Sequence, residues 1–210
     1  MTGQSAGACR AGFADPAAFE RAYLAAAIRA GTGDTGMLGL RLMWPTVPDL
    51  LALLDRIFPH LPDDAARLER AFGPIRYLHL SRQNKVAQAV SRLRAEQGGL
   101  WHRAADGSER ERTAPPQPPV YDATRLRAFF AEAETGDAAW NEFFTRHAIS
   151  PLRLTYEALA AAPQATLAAT LADLGLDPAL ATNVAPRTAR LADELSLDWS
   201  ARFRREAGLA

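Results

Sequence analysis

The chain has 210 residues and a formal net charge of zero, 24 Lys and Arg against 24 Asp and Glu, so no net field draws it to nucleic acid or an anionic membrane. That length supports one domain with a real core, residues 1–210, and 48% apolar with 23% charged residues is ordinary for a globular chain without a membrane span. A single cysteine, Cys9, excludes a disulfide framework, and the opening MTGQSAGACRAGF carries no basic region followed by an apolar run, so the expected location is the cytoplasm.

Asp15-Pro16 reads as an N-cap followed by proline at the first helical position, and Phe19, Tyr23, Leu24, Ala27 and Ile28 keep helical spacing behind it. The run GTGDTG, Gly31 to Gly36, ends that helix. It matches G-x-G-x-x-G literally, but a dinucleotide fingerprint needs a strand before it and a helix after it, and here the order is reversed. It is read as a flexible connection. MLGLRLMW, Met37 to Trp44, is an apolar run of strand length bounded by Pro45. Pro48-Asp49 opens a second helix with Leu50, Leu51, Leu53, Leu54, Ile57 and Phe58 on one stripe, and Gly73-Pro74 ends the helical stretch after it.

Ile75 to Ser81 (IRYLHLS) is the clearest strand, apolar on both faces as a buried parallel strand is, and Arg82 closes it. Asn84 is placed to cap the next helix, whose buried face is Val86, Ala89, Val90 and Leu93. Gly98 to Tyr121 is polar and rich in glycine and proline, and is expected to be a lid or a partly disordered loop. Two helices are expected next, one with Leu126, Phe129 and Phe130, the other with Trp140, Phe143, Phe144 and His147. LRLTYEAL, Leu152 to Leu159, reads as a strand, Pro163 to Leu174 as a helix stopped by Gly175, and a last helix carries Leu191, Leu195, Trp199 and Phe203. Strands alternating with helices predict an α/β fold in which Leu38–Trp44, Ile75–Ser81 and Leu152–Tyr156 share one parallel sheet.

His60, His79, His102 and His147 have no metal-ligand spacing, and no metal is expected. His79, inside a strand, is read as structural. His102, beside Trp101 in the long loop, is the one histidine to test for function, with a plain surface residue as the other reading. The most informative segment is Leu80 to Gln97 (LSRQNKVAQAVSRLRAEQ). Arg82 stands at the carboxyl end of a strand, where ligands bind in open α/β sheets, and Ser91 follows nine residues later on the helix. A strand-end guanidinium and a helix hydroxyl suit one phosphate, the arginine by a bidentate fork. The other reading pairs Arg82 with a carboxylate and makes Ser91 a small residue at a helix contact.

These residues carry a resemblance. Arg82 through Ser91, with Arg94-Ala95 and Gln97 beyond, resembles the 3′-phosphate-binding motif of sulfotransferases that use 3′-phosphoadenosine 5′-phosphosulfate, in the version found in the bacterial trehalose-2-sulfotransferase-like family. Gly39-Leu40-Arg41-Leu42-Met43-Trp44 is similar to the family's G-x-[KR]-L-M-W strand, and Trp101-His102 falls where the family often has a tryptophan. Trp140 with Phe143-Phe144, then Tyr156-Glu157-x-Leu159, then Arg190-x-Ala192-Asp193 with Trp199 and Arg202-Phe203-Arg204 resemble later family motifs in the same chain order.

The resemblance implies a P-loop-like sulfotransferase fold, a parallel sheet flanked by helices. It implies 3′-phosphoadenosine 5′-phosphosulfate as donor co-substrate and transfer of a sulfuryl group to a hydroxyl of a carbohydrate or glycolipid. Arg82 and Ser91 would hold the 3′-phosphate, with Arg190 and Arg187 on the nucleotide side. Arg41, Trp101 and His102 are candidates for the acceptor side, and Arg41 reads equally as a surface arginine. The family opens with a strand, a glycine/serine-rich loop that holds the 5′-phosphosulfate and, a little further on, a glutamate that serves as base. Residues 1–14 contain neither, so the chain is expected to be truncated and inactive as given, through a misassigned start or fragment, a decayed gene, or a binding role. A sheet without that first strand is expected to leave an open edge and to favour self-association, such as a homodimer. The rival readings are a nucleotide-kinase-like P-loop enzyme, which needs a Walker loop not found in the sequence, and a degenerate nucleotide-binding or dimerising module.

Overall fold

The computed structural model describes residues 16–189 and 191–209. The Asp15 cap and Cys9 lie outside them. The chain divides into two compact units, residues 1–75 and 76–210.

The described part of the first unit is helical. Helix α1 (Pro16–Thr32) ends in a short 3-10 turn, Gly33–Thr35, and Gly36 follows at φ +71, a left-handed conformation that glycine adopts without strain. Helix α2 (Val47–Ile57) begins beside Pro48 and buries Val47, Leu54 and Ile57. Helix α3 (Asp64–Phe72) is capped by Asp63, whose side chain accepts from the N–H of Ala66 at 2.8 Å, and buries Leu68. Arg56 ties α2 to α1, its Nη2 donating to Glu20 Oε1 at 2.8 Å.

The expected strand Leu38–Trp44 is not formed. Residues 37–43 are irregular, Trp44–Thr46 is a 3-10 turn, and no strand occurs among the described residues of this unit. An apolar run becomes a strand only where a neighbouring backbone offers a ladder, and without one Met37, Leu40 and Met43 stand exposed.

The second unit is the α/β part. Strand β1 (Leu78–Ser81) pairs in parallel with a later strand, Leu152–Thr155, in the register Leu78 to Leu152 through Ser81 to Thr155. The N–H of Leu152 reaches the carbonyl of Tyr77 at 2.8 Å, extending the pairing by one residue. Helix α4 (Lys85–Gly98) follows β1 and buries Val86, Ala89, Val90 and Leu93, the face its spacing predicts. Gly99 ends it at φ +66, and a Cβ there would fall 2.5 Å from the carbonyl oxygen of Ala114, so no other residue fits this approach.

Gly98 to Tyr121 is not a featureless loop. Strand β2 (Leu100–Ala104) and strand β3 (Glu109–Arg112) form an antiparallel hairpin, closed by the Asp106-Gly107 turn in which Asp106 Oδ1 accepts from the N–H and hydroxyl of Ser108 at 2.9 and 2.6 Å. Asp-Gly between short strands is a hairpin signal, hidden here by the surrounding charge. The two helices expected next are one, helix α5 (Ala123–Arg146), which begins at the Asp122 cap and runs straight through Gly136. An interior glycine costs about 1 kcal/mol, and the buried Leu126, Phe143 and Phe144 outweigh it.

Strand β4 (Leu152–Thr155) gives way at once to helix α6 (Tyr156–Ala161), because Thr155 Oγ1 accepts from the N–H of Ala158 at 3.1 Å and caps it. Helix α7 (Pro163–Asp173) follows, then strand β5 (Thr188–Ala189), antiparallel to β2, and helix α8 (Glu194–Ala207). The core gathers Val86, Ala89, Val90 and Leu93 of α4, Leu126 of α5, and Trp199 and Phe203 of α8. The fold is thus α/β, with a parallel pair and flanking helices. The expected single sheet of three strands is replaced by the β1–β4 pair and a separate β3–β2–β5 sheet.

Candidate functional site

Arg82 stands where the β1–β4 pair ends and each strand leads into a helix, half-buried at the start of the turn into α4. Its guanidinium lies over the Tyr156 ring, 4.5 Å from the centroid. Parallel pairing places this contact: Ser81 is opposite Thr155, so the residues just beyond each strand meet. Glu157 then closes the turn. Its two carboxylate oxygens accept from the backbone N–H groups of Gln83 and Asn84, each at 3.1 Å. Burial pushes the Glu157 carboxyl up, but those two N–H groups and the nearby Arg82 charge outweigh it, and the net shift is downward.

Asn84 caps α4, accepting from the N–H of Ala87 at 2.9 Å and from Arg204 Nη2 at 3.0 Å. Beside it lies a cleft of about 200 Å³ whose charged lining is Lys85, Arg204 and Glu134. Lys85 also pairs with Asp137 of α5. Beneath the turn, His79 is buried edge-on to Phe144, and its Nδ1 lies 3.2 Å from Arg153 Nη1. A guanidinium only donates, so that nitrogen is the acceptor and the proton sits on Nε2, 3.8 Å from Asp137. Burial pushes the imidazole pKa down, Asp137 opposing and Arg153 and Lys85 assisting, in keeping with a neutral structural histidine.

Ser91 is exposed on α4, one turn before Arg94 and on the same side of the helix. Arg94 donates to the Asp193 carboxylate, Nη2 to Oδ2 at 2.9 Å, and to the hydroxyl of Ser196. Asp193 also caps α8 through the N–H of Ser196 at 3.0 Å. The Arg94 hydrogen bond is the largest of the effects that hold the Asp193 carboxyl at about 2, burial opposing it and the Ser196 amide adding to it. A carboxyl so depressed contributes stability that is present above its ordinary value of 3.8 and lost as pH falls through about 2. Asp193→Ala should therefore cost about 1–2 kcal/mol near neutral pH, the range of a lost N-cap with a half-exposed ion pair. Urea melts at pH 7 and pH 2 check this, and the difference from wild type should shrink at the lower pH.

The hairpin gathers further expected residues. Trp101 and His102 are both exposed on β2, Trp101 Nε1 donating to Thr113 Oγ1 at 3.1 Å and His102 Nε2 lying 3.4 Å from Glu111. Strand β5 joins them, with Arg103 opposite Ala189 and Ala104 opposite Thr188, so Arg187 stands exposed one residue before a strand paired to the Trp101-His102 strand. Arg190 lies outside the described residues. Arg41 is exposed on the irregular segment of the first unit. No group of three or more His, Cys, Asp or Glu side chains that could hold a metal ion occurs among the described residues, and no helix among them is long and apolar enough to cross a membrane.

Two contacts escaped the sequence reading. Glu157 was visible only as part of Tyr156-Glu157-x-Leu159, and its hold on Gln83 and Asn84 spans more than 70 residues. Arg94–Asp193 spans 99, although Asp193 followed three residues later by Ser196 is a readable cap.

Comparison with known proteins adds the family. The chain is 30% identical over 184 residues to a trehalose 2-sulfotransferase of Mycobacterium tuberculosis, and 29% identical over the same length to one of Mycolicibacterium smegmatis. Each alignment covers 84% of this chain and 64% of the relative, so the chain spans less than two thirds of the curated proteins it matches. The Stf0 sulphotransferase family model matches residues 6–206. With a match that runs through both units and covers most of the sequence, the chain belongs to the Stf0 sulphotransferase family.

Proposed function

We propose that the chain binds the nucleotide of 3′-phosphoadenosine 5′-phosphosulfate and belongs to an enzyme that transfers its sulfuryl group to a carbohydrate or glycolipid hydroxyl. The observation that carries this reading is Arg82, held at the carboxyl end of a parallel strand with Ser91 on the helix that follows. A planar cation and an exposed hydroxyl fit a phosphate dianion: the guanidinium supplies a bidentate fork and charge, the hydroxyl one more hydrogen bond. Arg187, and Arg190 beyond it, would line the nucleotide side. Trp101 and His102 on the hairpin would serve the acceptor side, and Arg41 is a separate acceptor-side candidate within the first unit. The two units would act as one sulfotransferase-like domain, since one family match runs through both.

The donor supplies an activated sulfuryl group, and such transfer depends on positioning and on cationic stabilisation of charge on the bridging oxygen. The 210 residues contain no glycine/serine-rich loop of the R-S-G-S-T kind. This polypeptide by itself is therefore expected to bind 3′,5′-adenosine bisphosphate more tightly than 5′-AMP, by about tenfold or more, and to transfer no sulfuryl group to trehalose. Calorimetry with both nucleotides tests the first statement, and a radiolabelled donor the second. Equal affinity for the two nucleotides would overturn the reading. Measurable turnover would overturn the expected inactivity alone, while binding without turnover is what a degenerate nucleotide-binding module would also show.

A further inference from the structure

We infer that Glu157 is the positioning residue that sets preference for a 3′-phosphate, because its carboxylate fills the anion-accepting turn before α4 and thereby fixes Arg82. This rests on the nucleotide-binding reading above and names the device behind it.

Two consecutive backbone N–H groups at the entry to a helix form a concave donor pair, the kind of place where a phosphate or sulfate docks. Here the donors of Gln83 and Asn84 are already taken, one by each oxygen of Glu157 at 3.1 Å. The carboxylate has two effects. It denies this turn to a ligand anion, so a phosphate arriving at the strand end must be met by side chains. It also locks the backbone directly after Arg82, whose guanidinium is steadied by the Tyr156 ring 4.5 Å away, one residue before Glu157. Thr155, capping α6 through the N–H of Ala158 at 3.1 Å, fixes the direction in which Tyr156 and Glu157 project. Asn84 is held from the other side by Arg204 at 3.0 Å, so both ends of the three-residue turn are tied. Ionised Glu157 also carries the correct sign for the start of α4, where negative charge is favoured. Glu157 touches no substrate in this scheme and acts only through Arg82.

The test compares wild type, Glu157→Gln and Glu157→Ala of the 210-residue chain by calorimetry with 3′,5′-adenosine bisphosphate and with 5′-AMP, far-UV circular dichroism confirming the folded state. The alanine variant should lose about tenfold of the preference for the bisphosphate while its affinity for 5′-AMP stays within about twofold, as expected when one charge-assisted contact is misplaced. Glu157→Gln, which keeps one acceptor oxygen, should fall between. A merely structural role predicts something else, an equal loss for both nucleotides, and that result would overturn the inference, as would an unchanged ratio in Glu157→Ala. If the alanine variant does not fold, the near-isosteric glutamine variant decides: a ratio reduced about threefold or more supports the inference, and an unchanged ratio rejects it. Wild type that shows no preference sinks the nucleotide-binding reading and this inference together. Wild-type preference that survives in the variants sinks the inference alone.

Discussion

Replacing Arg82 with alanine is expected to remove most of the preference for a nucleotide that bears a 3′-phosphate. A hydrogen bond to a charged group contributes about 1.5–3 kcal/mol, so affinity for 3′,5′-adenosine bisphosphate should fall by about ten- to a hundredfold. Affinity for 5′-AMP, which lacks that phosphate, should change little. Lysine at position 82 should recover only part of the loss, since a point charge replaces a planar fork and no longer stacks over Tyr156 in the same way. Arg76 provides the control. It is exposed, and it already forms a two-bond pair with Asp173, Nε to Oδ2 and Nη2 to Oδ1, both at 2.8 Å. Arg76→Ala should leave the ratio of the two affinities unchanged. An Arg82→Ala variant that binds both nucleotides as wild type does would remove Arg82 from the site. Arg187→Ala would then be the next variant to measure, since Arg187 sits on the segment joined to the hairpin.

Phe203→Ala should give the largest loss of stability. Phe203 is 1% exposed, lies 6.1 Å from the Phe130 ring, and belongs to the cluster that joins α4, α5 and α8. Truncating a buried phenylalanine costs about 3–5 kcal/mol through lost transfer energy and the cavity left behind. That is a large share of the 5–15 kcal/mol of an ordinary domain. In urea the transition midpoint should move well below that of wild type. Leu197→Ala on the same helix is the contrast: Leu197 is 70% exposed, and its replacement should stay within about 0.5 kcal/mol. The same substitution bears on the site. Arg94 of α4 reaches Asp193 and Ser196 at the start of α8, and Arg204 on α8 reaches Asn84. Loosening α8 should therefore weaken bisphosphate binding even though Phe203 is a core side chain. A Phe203→Ala variant with wild-type stability would mean that the core lies elsewhere.

The sequence by itself determined where several helices begin and end, because helix caps and breakers are local; it missed helix α6, which it read as the end of a strand. Pro48-Asp49, Gly73-Pro74, Asn84 and Gly175 mark their ends within a residue or two, and the spacing of Val86, Ala89, Val90 and Leu93 selects the face that the structure buries. It also placed Arg82 at a strand end and Ser91 on the following helix. The family resemblance was legible for a related reason: its motifs are short strings whose order along the chain survives without any coordinates.

What only the tertiary structure decided is what the strands do and which distant groups meet. Leu38–Trp44 has a strand's apolar content but finds no ladder among the described residues, while the charged ERER of β3 becomes a strand because β2 lies beside it. Two helices were expected between Leu126 and His147, yet burial of Leu126, Phe143 and Phe144 on either side of Gly136 makes them the single helix α5. The bonds from Glu157 to Gln83 and Asn84, and from Arg94 to Asp193, join residues 73 to 99 positions apart. Strand pairing and carboxylate contacts of this kind depend on which backbone arrives alongside, and neither spacing nor residue type encodes that locally.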